Sequence, residues 1–164
     1  MNACFDWLPS LILLTDYGGR WDRYLETIYE CFRQDFVTSR PSFEGNRFGL
    51  KRHPVVQGKE ATFWHLISEG KSEPGRLPDL RRCERIRWPR PMIDAVATGS
   101  VKWWRNRRGS ESRVVIALSD FSYIVVLAER KGYVLLWTAY CVEKEHKKRT
   151  LEKEYQASVG PAKR

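Results

Sequence analysis

The chain contains 164 residues, of which 42% are hydrophobic and 30% are charged, and its formal net charge at pH 7 is +9. This length allows one well-buried domain and is short for two, and no segment approaches the ~20 apolar residues of a membrane-spanning helix. A basic surplus favours polyanionic partners, chiefly nucleic acid or an acidic protein. We therefore predict a cytoplasmic protein with no membrane partner, a single domain over residues 1–157 and a flexible basic tail over residues 158–164.

Several classes of enzyme lack their usual sequence marks. The chain contains no GxxxxGK[ST], GxGxxG, HExxH or GxSxG motif, which argues against nucleotide hydrolysis, zinc proteolysis and a serine-hydrolase elbow. The cysteines are scattered, without a CxxC pair or a histidine at ligand spacing, at Cys4, Cys31, Cys83 and Cys141. This spacing is typical of buried thiols in a reducing cytoplasm, and we predict no metal site and no cofactor.

The first part of the chain is predicted to be helical and then extended. Residues 11–14 are interpreted as an early strand or a segment that docks on the core. An amphipathic helix is predicted over about residues 22–36, where large apolar residues recur at helical spacing: Tyr24, Leu25, Ile28, Tyr29, Phe32 and Phe36. In a strand over residues 61–68, His65 would share its face with Phe63 and Ile67. Two interpretations of His65 stay open, namely a half-buried packing residue and a functional group.

Residues 76–108 concentrate the positive charge. Short helices are predicted over about residues 79–88, with Leu80, Cys83 and Ile86 or Arg87 facing inward, and over residues 91–97, begun by Pro91. Arginine can bind phosphate with two hydrogen bonds, and an indole ring can stack on an unpaired base. The predicted nucleic-acid-binding residues are Lys51, Arg52, Arg81, Arg85, Arg90, Trp103, Trp104, Arg105, Arg107 and Arg108. The alternative is a solvated helix face followed by a basic hairpin turn.

Residues 113–155 predict a sheet closed by a helix. Runs rich in β-branched and aromatic residues at 113–118, 123–127 and 133–142 are separated by the turn signals Ser119–Asp120 and Lys131–Gly132, which is typical of antiparallel hairpins. Strict alternation in the last run would place Val134, Leu136, Thr138, Tyr140 and Val142 on one face. A charged helix follows, with Leu151 and Tyr155 as its buried contacts.

Metal-free RNA cleavage needs a group that takes the ribose 2′-OH proton, cations that stabilise the charged phosphorane, and an acid for the leaving 5′-oxygen. His65 is the candidate for proton transfer, arginines of the basic segment for the phosphate, and Thr138 with Tyr140 for hydroxyl donation. Tyr140 as an acid and Tyr140 as a hydrogen-bond donor both stay open. His146 is interpreted as a solvated residue of the last helix. A metal nuclease is disfavoured, because Asp120 is isolated and the other carboxylates are interspersed with basic residues.

Residues 60–157 resemble the phage-associated branch of the barnase–EndoU–colicin–RelE (BECR) superfamily of metal-independent ribonucleases. The similar segments are FWH at 63–65, RRCERIRWPRP at 81–91, LLWTAY at 135–140 and KRTLEKEY at 148–155. The resemblance implies helices followed by a four-stranded antiparallel sheet, and an RNA-cleaving toxin or processing nuclease. It also implies a site lined by His65, Arg82 or Arg87, Thr138 and Tyr140, and an acidic inhibitor such as an antitoxin or immunity protein.

We therefore predict an α+β fold in which N-terminal helices precede an antiparallel sheet of about four strands and a C-terminal helix. The predicted function is a toxin-like, metal-independent endoribonuclease with RNA as its partner. Two alternatives stay open. One is a non-catalytic module of a phage or mobile element that binds nucleic acid or a partner protein, and the other is an accessory protein whose charge confers only solubility. The oligomeric state and the RNA target are left open.

Overall fold

The computed structural model describes residues 5–70 and 76–160 and shows an α+β fold. The helices are α1 (Trp21–Arg33), which continues as a π-helical turn at Gln34–Thr38, α2 (Ala61–Ile67), α3 (Leu80–Glu84), α4 (Pro89–Ala95) and α5 (Glu145–Ser158). The strands are β1 (Ser42–Phe43), β2 (Asn46–Gly49), β3 (Ser68–Glu69), β4 (Leu77–Pro78), β5 (Lys102–Arg108), β6 (Glu111–Ala117), β7 (Tyr123–Arg130) and β8 (Tyr133–Cys141).

The main sheet has six strands in the order β1-β2-β8-β7-β6-β5, and β3 pairs with β4 in a separate small sheet. The predicted hairpins of β6, β7 and β8 are confirmed, with Gly132 turning the last one at φ 84°. The prediction of about four antiparallel strands was wrong in number and direction. β2 runs parallel to β8, with Arg47 opposite Tyr133, so the sheet is mixed and two of its strands precede α2.

A β-bulge in β8 alters the predicted faces of that strand. Val126 pairs with Thr138 but Leu127 pairs with Leu136, so Trp137 is an extra residue in the ladder. Val134 and Leu136 therefore belong to the first hydrophobic cluster, whereas Val142 belongs to the second, and the prediction that they share a face was wrong. Strict alternation fails here because one added residue moves every later side chain of the strand to the opposite face of the sheet.

The two clusters define the two faces of the sheet. The inner face packs under α1, α2, α3 and α4, and it includes Phe32, Phe63 and Ile116. The outer face carries a smaller cluster, in which Trp104, Phe121 and Ile124 are covered by partly buried Leu151 and Tyr155 of α5. These are the contacts predicted for the closing helix. These two residues attach α5 to the sheet, although no residue of α5 is fully buried.

The predicted amphipathic helix is confirmed. Tyr24, Leu25, Ile28 and Phe32 of α1 are buried, and so is Phe36 in the π-helical turn that follows. Residues 11–14 dock on the core rather than forming a strand, because the Ile12 amide donates a hydrogen bond to the Glu84 carbonyl.

The strand predicted over residues 61–68 was wrong, because residues 61–67 form α2. Buried Thr62, Phe63, Leu66 and Ile67 recur at helical spacing, and short apolar runs fit helix and strand patterns equally well. The Thr62 hydroxyl accepts a hydrogen bond from the Lys51 amide (2.8 Å) and so fixes the start of α2 against the preceding loop.

The segment that follows also departs from prediction in detail. Cys83 and Ile86 are buried as expected, but the side chain of Leu80 is exposed, and α4 begins at Pro89 rather than at Pro91. Asp79 caps α3 by accepting a hydrogen bond from the Arg81 amide (2.9 Å).

Cys83 is buried and Cys31 and Cys141 are half-buried, all three as free thiols, and Cys4 lies outside the described residues. Of the predicted tail, Ser158 still belongs to α5 and residues 161–164 lie outside the described part. No helix within 5–70 and 76–160 is both long enough and apolar enough to cross a bilayer.

Candidate functional site

One edge of β8 is paired over only part of its length. β2 pairs with residues 133–135, and beyond that point the edge of β8 faces α2 and α3. Arg82, on α3, reaches this open edge and brings its guanidinium to Thr138 and Tyr140, which lie two residues apart on the outer face. The structure therefore gathers three of the five residues predicted to be catalytic.

Arg82 is held in place by several contacts. Its Nη1 donates to the Ser68 carbonyl oxygen (2.9 Å) and makes a longer contact with Thr138 Oγ1 (3.4 Å). Its guanidinium carbon lies 5.3 Å from the centre of the Tyr140 ring, within the range of a cation–π interaction. Its Nε lies 3.8 Å from an Asp79 carboxylate oxygen, which is too long for a hydrogen bond.

The Nε of Arg82 is buried and makes no hydrogen bond to any residue that the structure describes. A buried donor without an acceptor is costly, because it has lost its water without gaining a replacement. The side chain as a whole is only 13% exposed, so its position is set by protein contacts rather than by solvent. The guanidinium is thus pre-positioned beside Thr138 and Tyr140 by protein contacts.

Arg82 and Tyr140 line a pocket of about 380 Å³, which we call the Arg82 pocket. Its other lining residues are Glu69, Asp79, Arg81, Cys141, Val142, Glu143, Lys144 and Lys147. Four of these ten side chains are cationic and three are acidic. Glu143 pairs with Arg81, so these two charges offset each other, and Asp79 caps α3. Burial raises the pKa of the Cys141 thiol, opposed by nearby Arg85 and Arg81, so it stays neutral.

The N-terminus of α5 lies at the rim of the Arg82 pocket. Its N-cap residue, Lys144, provides no side-chain cap, and Lys147 follows one turn later. The first turn of a helix carries a partial positive charge from its unpaired amides. Together with the two exposed lysines, it makes this rim favourable for a phosphate group.

His65 lies beside the Arg82 pocket but does not line it. It lines a small crevice of about 20 Å³ together with Lys51, Thr62, Leu135, Leu136 and Trp137. That volume holds about one water molecule. The imidazole is partly exposed, while the backbone oxygen of His65 accepts a hydrogen bond from Arg76 (3.3 Å). His65 therefore lies beside Trp137 and Arg82 beside Thr138, the next residue of the strand, but the two side chains do not line the same pocket.

The other predicted phosphate ligand, Arg87, lies away from the Arg82 pocket. It is exposed, and its charge acts on Cys31 and Asp35 of the first helical segment, where it lowers pKa values that burial raises. Arg87 is therefore not placed to share a phosphate with Arg82.

The remaining arginines of the predicted basic cluster are dispersed and mostly engaged. Arg85 lies over the ring of Trp88 (5.0 Å) and donates to the Arg81 carbonyl. Arg90 pairs with Asp94 (3.1 Å) and donates to two carbonyl groups near the end of the first helical segment. These contacts have structural roles, and only Arg81 and Arg82 of this segment line the Arg82 pocket.

Of the two tryptophans predicted to stack on bases, Trp104 is buried and Trp103 is half-buried. Trp104 is 3% exposed, contacts Phe121 and Tyr155, and donates from Nε1 to Glu154 (3.2 Å). Trp103 is half-buried and packs edge-on against Phe43 (5.3 Å). The covered ring of Trp104 cannot take up a base without repacking, so this arrangement does not favour the stacking role predicted for it.

The last predicted nucleic-acid ligands lie in two separate places. Arg105, on β5, forms ion pairs with both Glu44 and Glu129. Arg107 and Arg108 are exposed at the far end of the same strand. Strands β6 and β7 lie between them and β8. Lys51 and Arg52 are exposed before α2, and Lys51 lines the His65 crevice.

Sequence reasoning missed the contributions of Lys144, Lys147 and the carboxylates Glu69, Asp79 and Glu143 to the pocket. The signal for the lysines was present, because they follow Tyr140 by four and seven residues at the start of the predicted charged helix. The signal for Glu69 was weak, since it depends on how the small β3–β4 sheet is placed.

His146 is exposed on α5, as predicted. Within the described ranges, no group of three or more His, Cys, Asp or Glu side chains is placed to hold a metal ion.

Comparison of the chain with protein-family models, curated proteins and solved structures finds no significant match. The resemblance to the BECR ribonucleases therefore depends on the local motifs alone.

Proposed function

We propose that this protein is a toxin-like, metal-independent endoribonuclease that holds an RNA phosphate in the Arg82 pocket. The observation that carries the proposal is the convergence of Arg82, Thr138 and Tyr140, from segments more than fifty residues apart, at a rim lined by Lys144 and Lys147. The local resemblance to the BECR ribonucleases and the net charge of +9 support it.

The proposed reaction is attack of a ribose 2′-oxygen on the adjacent phosphorus. The bond from phosphorus to the 5′-oxygen breaks, which leaves a 2′,3′-cyclic phosphate and a free 5′-hydroxyl. Arg82 stabilises the negative charge that builds up on the phosphorane, as a positioned donor does in an oxyanion site. Tyr140 and Thr138 supply hydroxyl groups beside it.

The 2′-OH proton is assigned to His65 and the proton for the leaving 5′-oxygen to Tyr140. His65 lines its crevice with Trp137, the residue directly before Thr138. An RNA that runs along the open edge of β8 would therefore pass both His65 and the Arg82 pocket. Such a transfer, direct or through one water, contributes typically 10²–10⁴-fold to a rate. We also propose that an acidic antitoxin or immunity protein inhibits this protein in the cytoplasm, because the pocket rim is cationic.

The direct test uses purified protein, a labelled single-stranded RNA and the same sequence as DNA, with EDTA in excess. We expect cleavage of the RNA, products that end in a 2′,3′-cyclic phosphate, and no cleavage of the DNA. If neither polymer is cleaved, or both are cleaved equally, the proposed reaction is wrong.

A second candidate is a module that binds nucleic acid without cleaving it. It is favoured by the separation of His65 from the Arg82 pocket, since binding does not require a proton acceptor there. In that case the RNA would be bound intact, with an affinity that falls steeply as salt rises.

A further inference from the structure

The outer face of the main sheet is covered by α5 only in part. Leu151 and Tyr155 of α5 pack over the second cluster, next to β5. At the other side of the same face, alternate residues of β8 are at least partly accessible to solvent, and Tyr133 is 41% exposed. The accessible side chains are those of Tyr133, Leu135 and Trp137.

Two side chains of this open area, Tyr133 and Leu135, lie against the neighbouring strand β2. A Cβ atom at Gly49 of β2 would lie 3.1 Å from Leu135 Cδ2 and 3.3 Å from Tyr133 Cδ2. Glycine at this position therefore lets both side chains lie close to the β2 backbone. The result is a partly apolar surface in which Tyr133 and Leu135 pack against β2.

Cations surround this surface. The guanidinium carbons of Arg113 and Arg130 lie 5.0 and 6.0 Å from the centre of the Trp137 ring. Arg47 is exposed on β2 directly opposite Tyr133. We call the surface formed by Arg47, Arg113, Arg130, Tyr133, Leu135 and Trp137 the β8 platform.

Few acidic groups oppose these cations among the described residues. Glu111 pairs with Arg113 (3.0 Å) at the start of β6. Glu129 precedes Arg130 in β7, but it faces the inner side of the sheet, where it accepts hydrogen bonds from Arg105 and Ser112. The platform therefore has net positive charge.

We propose that the β8 platform binds single-stranded RNA by stacking bases on its rings and guanidinium planes, and that it guides the strand into the Arg82 pocket. This inference rests on the proposed function for the role of the pocket. Flat rings beside arginines fit unpaired bases and their phosphates, whereas an acidic protein segment would use the charge but not the exposed rings.

The platform and the pocket are continuous along one strand. Thr138, which Arg82 contacts, directly follows Trp137, and the bulge turns both toward the outer face. From Tyr133 to Tyr140 the strand spans about 23 Å at ~3.3 Å per residue. A strand of RNA that lies on the platform is thus directed to the pocket.

The test measures binding of a fluorescent 2′-O-methyl RNA, which cannot be cleaved because it has no 2′-OH. Fluorescence anisotropy is recorded for the wild type, Tyr133→Ala and Arg130→Gln. The matched controls are Trp7→Ala, another 41% exposed aromatic residue, and Arg40→Gln, an exposed arginine after the first helical segment. All these positions are partly or largely exposed, and circular dichroism verifies that each variant is folded.

We expect Tyr133→Ala and Arg130→Gln each to weaken binding about fivefold or more, since one base–aromatic stack contributes ~1–3 kcal/mol. The two controls should change the affinity less than twofold. Equal affinities for platform and control variants would overturn the inference, and so would loss of affinity for a polyglutamate peptide with no loss for RNA.

Cleavage of a dinucleotide, which is too short to span platform and pocket, separates this inference from the proposed function. If the dinucleotide is cleaved but the platform variants bind RNA normally, only the platform is refuted. If RNA binding depends on the platform but no RNA is cleaved, the platform stands and the proposed reaction fails.

Discussion

The guanidinium of Arg82 lies 5.3 Å from the centre of the Tyr140 ring, although the two residues are 58 positions apart in the chain. The ring therefore orients the cation, while the hydroxyl group of the same side chain extends beyond the ring carbons. These two roles of Tyr140 can be separated by substitution.

Tyr140→Phe keeps the ring beside Arg82 and removes only the hydroxyl. If that hydroxyl donates the proton to the leaving oxygen, we expect the cleavage rate to fall by about 10²-fold, with folding stability nearly unchanged. Single-turnover cleavage in EDTA measures this effect. Tyr17→Phe, a tyrosine outside the Arg82 pocket and the β8 strand, is the control, and equal rates for the two variants would show that the Tyr140 hydroxyl has no chemical role.

His65→Gln tests proton transfer through the pH dependence of cleavage. A general base must be unprotonated, so the wild-type rate should rise with pH through the pKa of that base and then level off. In His65→Gln this rise should disappear and the remaining rate should be low and nearly independent of pH. A wild-type-shaped profile in the variant would exclude His65 as the base, whatever the drop in overall rate.

The second hydrophobic cluster predicts a stability effect at α5. Tyr155 contacts Trp104 (5.8 Å) and Phe121 (6.2 Å), and it is half-buried. Tyr155→Ala should therefore lower the free energy of unfolding by about 2–3 kcal/mol, less than for a fully buried aromatic residue. Urea denaturation measures this value, and Gln156→Ala, an exposed neighbour, should change it by less than ~0.5 kcal/mol. A Tyr155→Ala protein as stable as Gln156→Ala would contradict the packing of α5.

Glu129 predicts a pH-dependent contribution to stability. Burial alone would raise the pKa of its carboxyl, but hydrogen bonds from Ser112 and Arg105 outweigh that effect and hold the pKa below its ordinary value. Because the folded-state pKa is lower than the unfolded one, the stabilisation is present above the unfolded pKa of ~4.3 and is lost as pH falls through the folded pKa.

Glu129→Gln should therefore destabilise the protein by about 1 kcal/mol between pH 6 and 8, and the difference from the wild type should shrink below about pH 4. Urea denaturation across this pH range measures the difference. A gap that is constant down to pH 3 would mean that the charge of Glu129 does not contribute. Glu152→Gln on the exposed side of α5 is the control.

The sequence predicts the hairpins of β6, β7 and β8 and the helix α1 because their patterns are long and regular. It cannot predict the bulge at Trp137, since nothing in the alternation of that run marks an extra residue. It also cannot separate helix from strand over residues 61–67, where the run is only two turns long. The parallel pairing of β2 with β8 depends on contacts between segments more than eighty residues apart.

The candidate site was predictable in its parts and not in its geometry. Thr138 and Tyr140 could be paired from their spacing on one strand, and the arginines from their clustering. Which arginine reaches that strand depends on the packing of α3, which presents Arg82 to β8 and leaves Arg87 near Asp35. The stacking role expected for Trp104 is not favoured, because burial of an aromatic ring depends on tertiary packing that local composition does not report.

The most direct test of the central claim compares Arg82→Ala with Arg87→Ala in the cleavage of single-stranded RNA in EDTA. The two substitutions remove the same charge from the same segment of the chain, but only Arg82 lines the pocket with Tyr140. We expect Arg82→Ala to lower the rate by about 10²-fold or more and Arg87→Ala to lower it less than threefold. Equal rates for the two variants, or a larger loss in Arg87→Ala, would show that RNA is not cleaved in the Arg82 pocket.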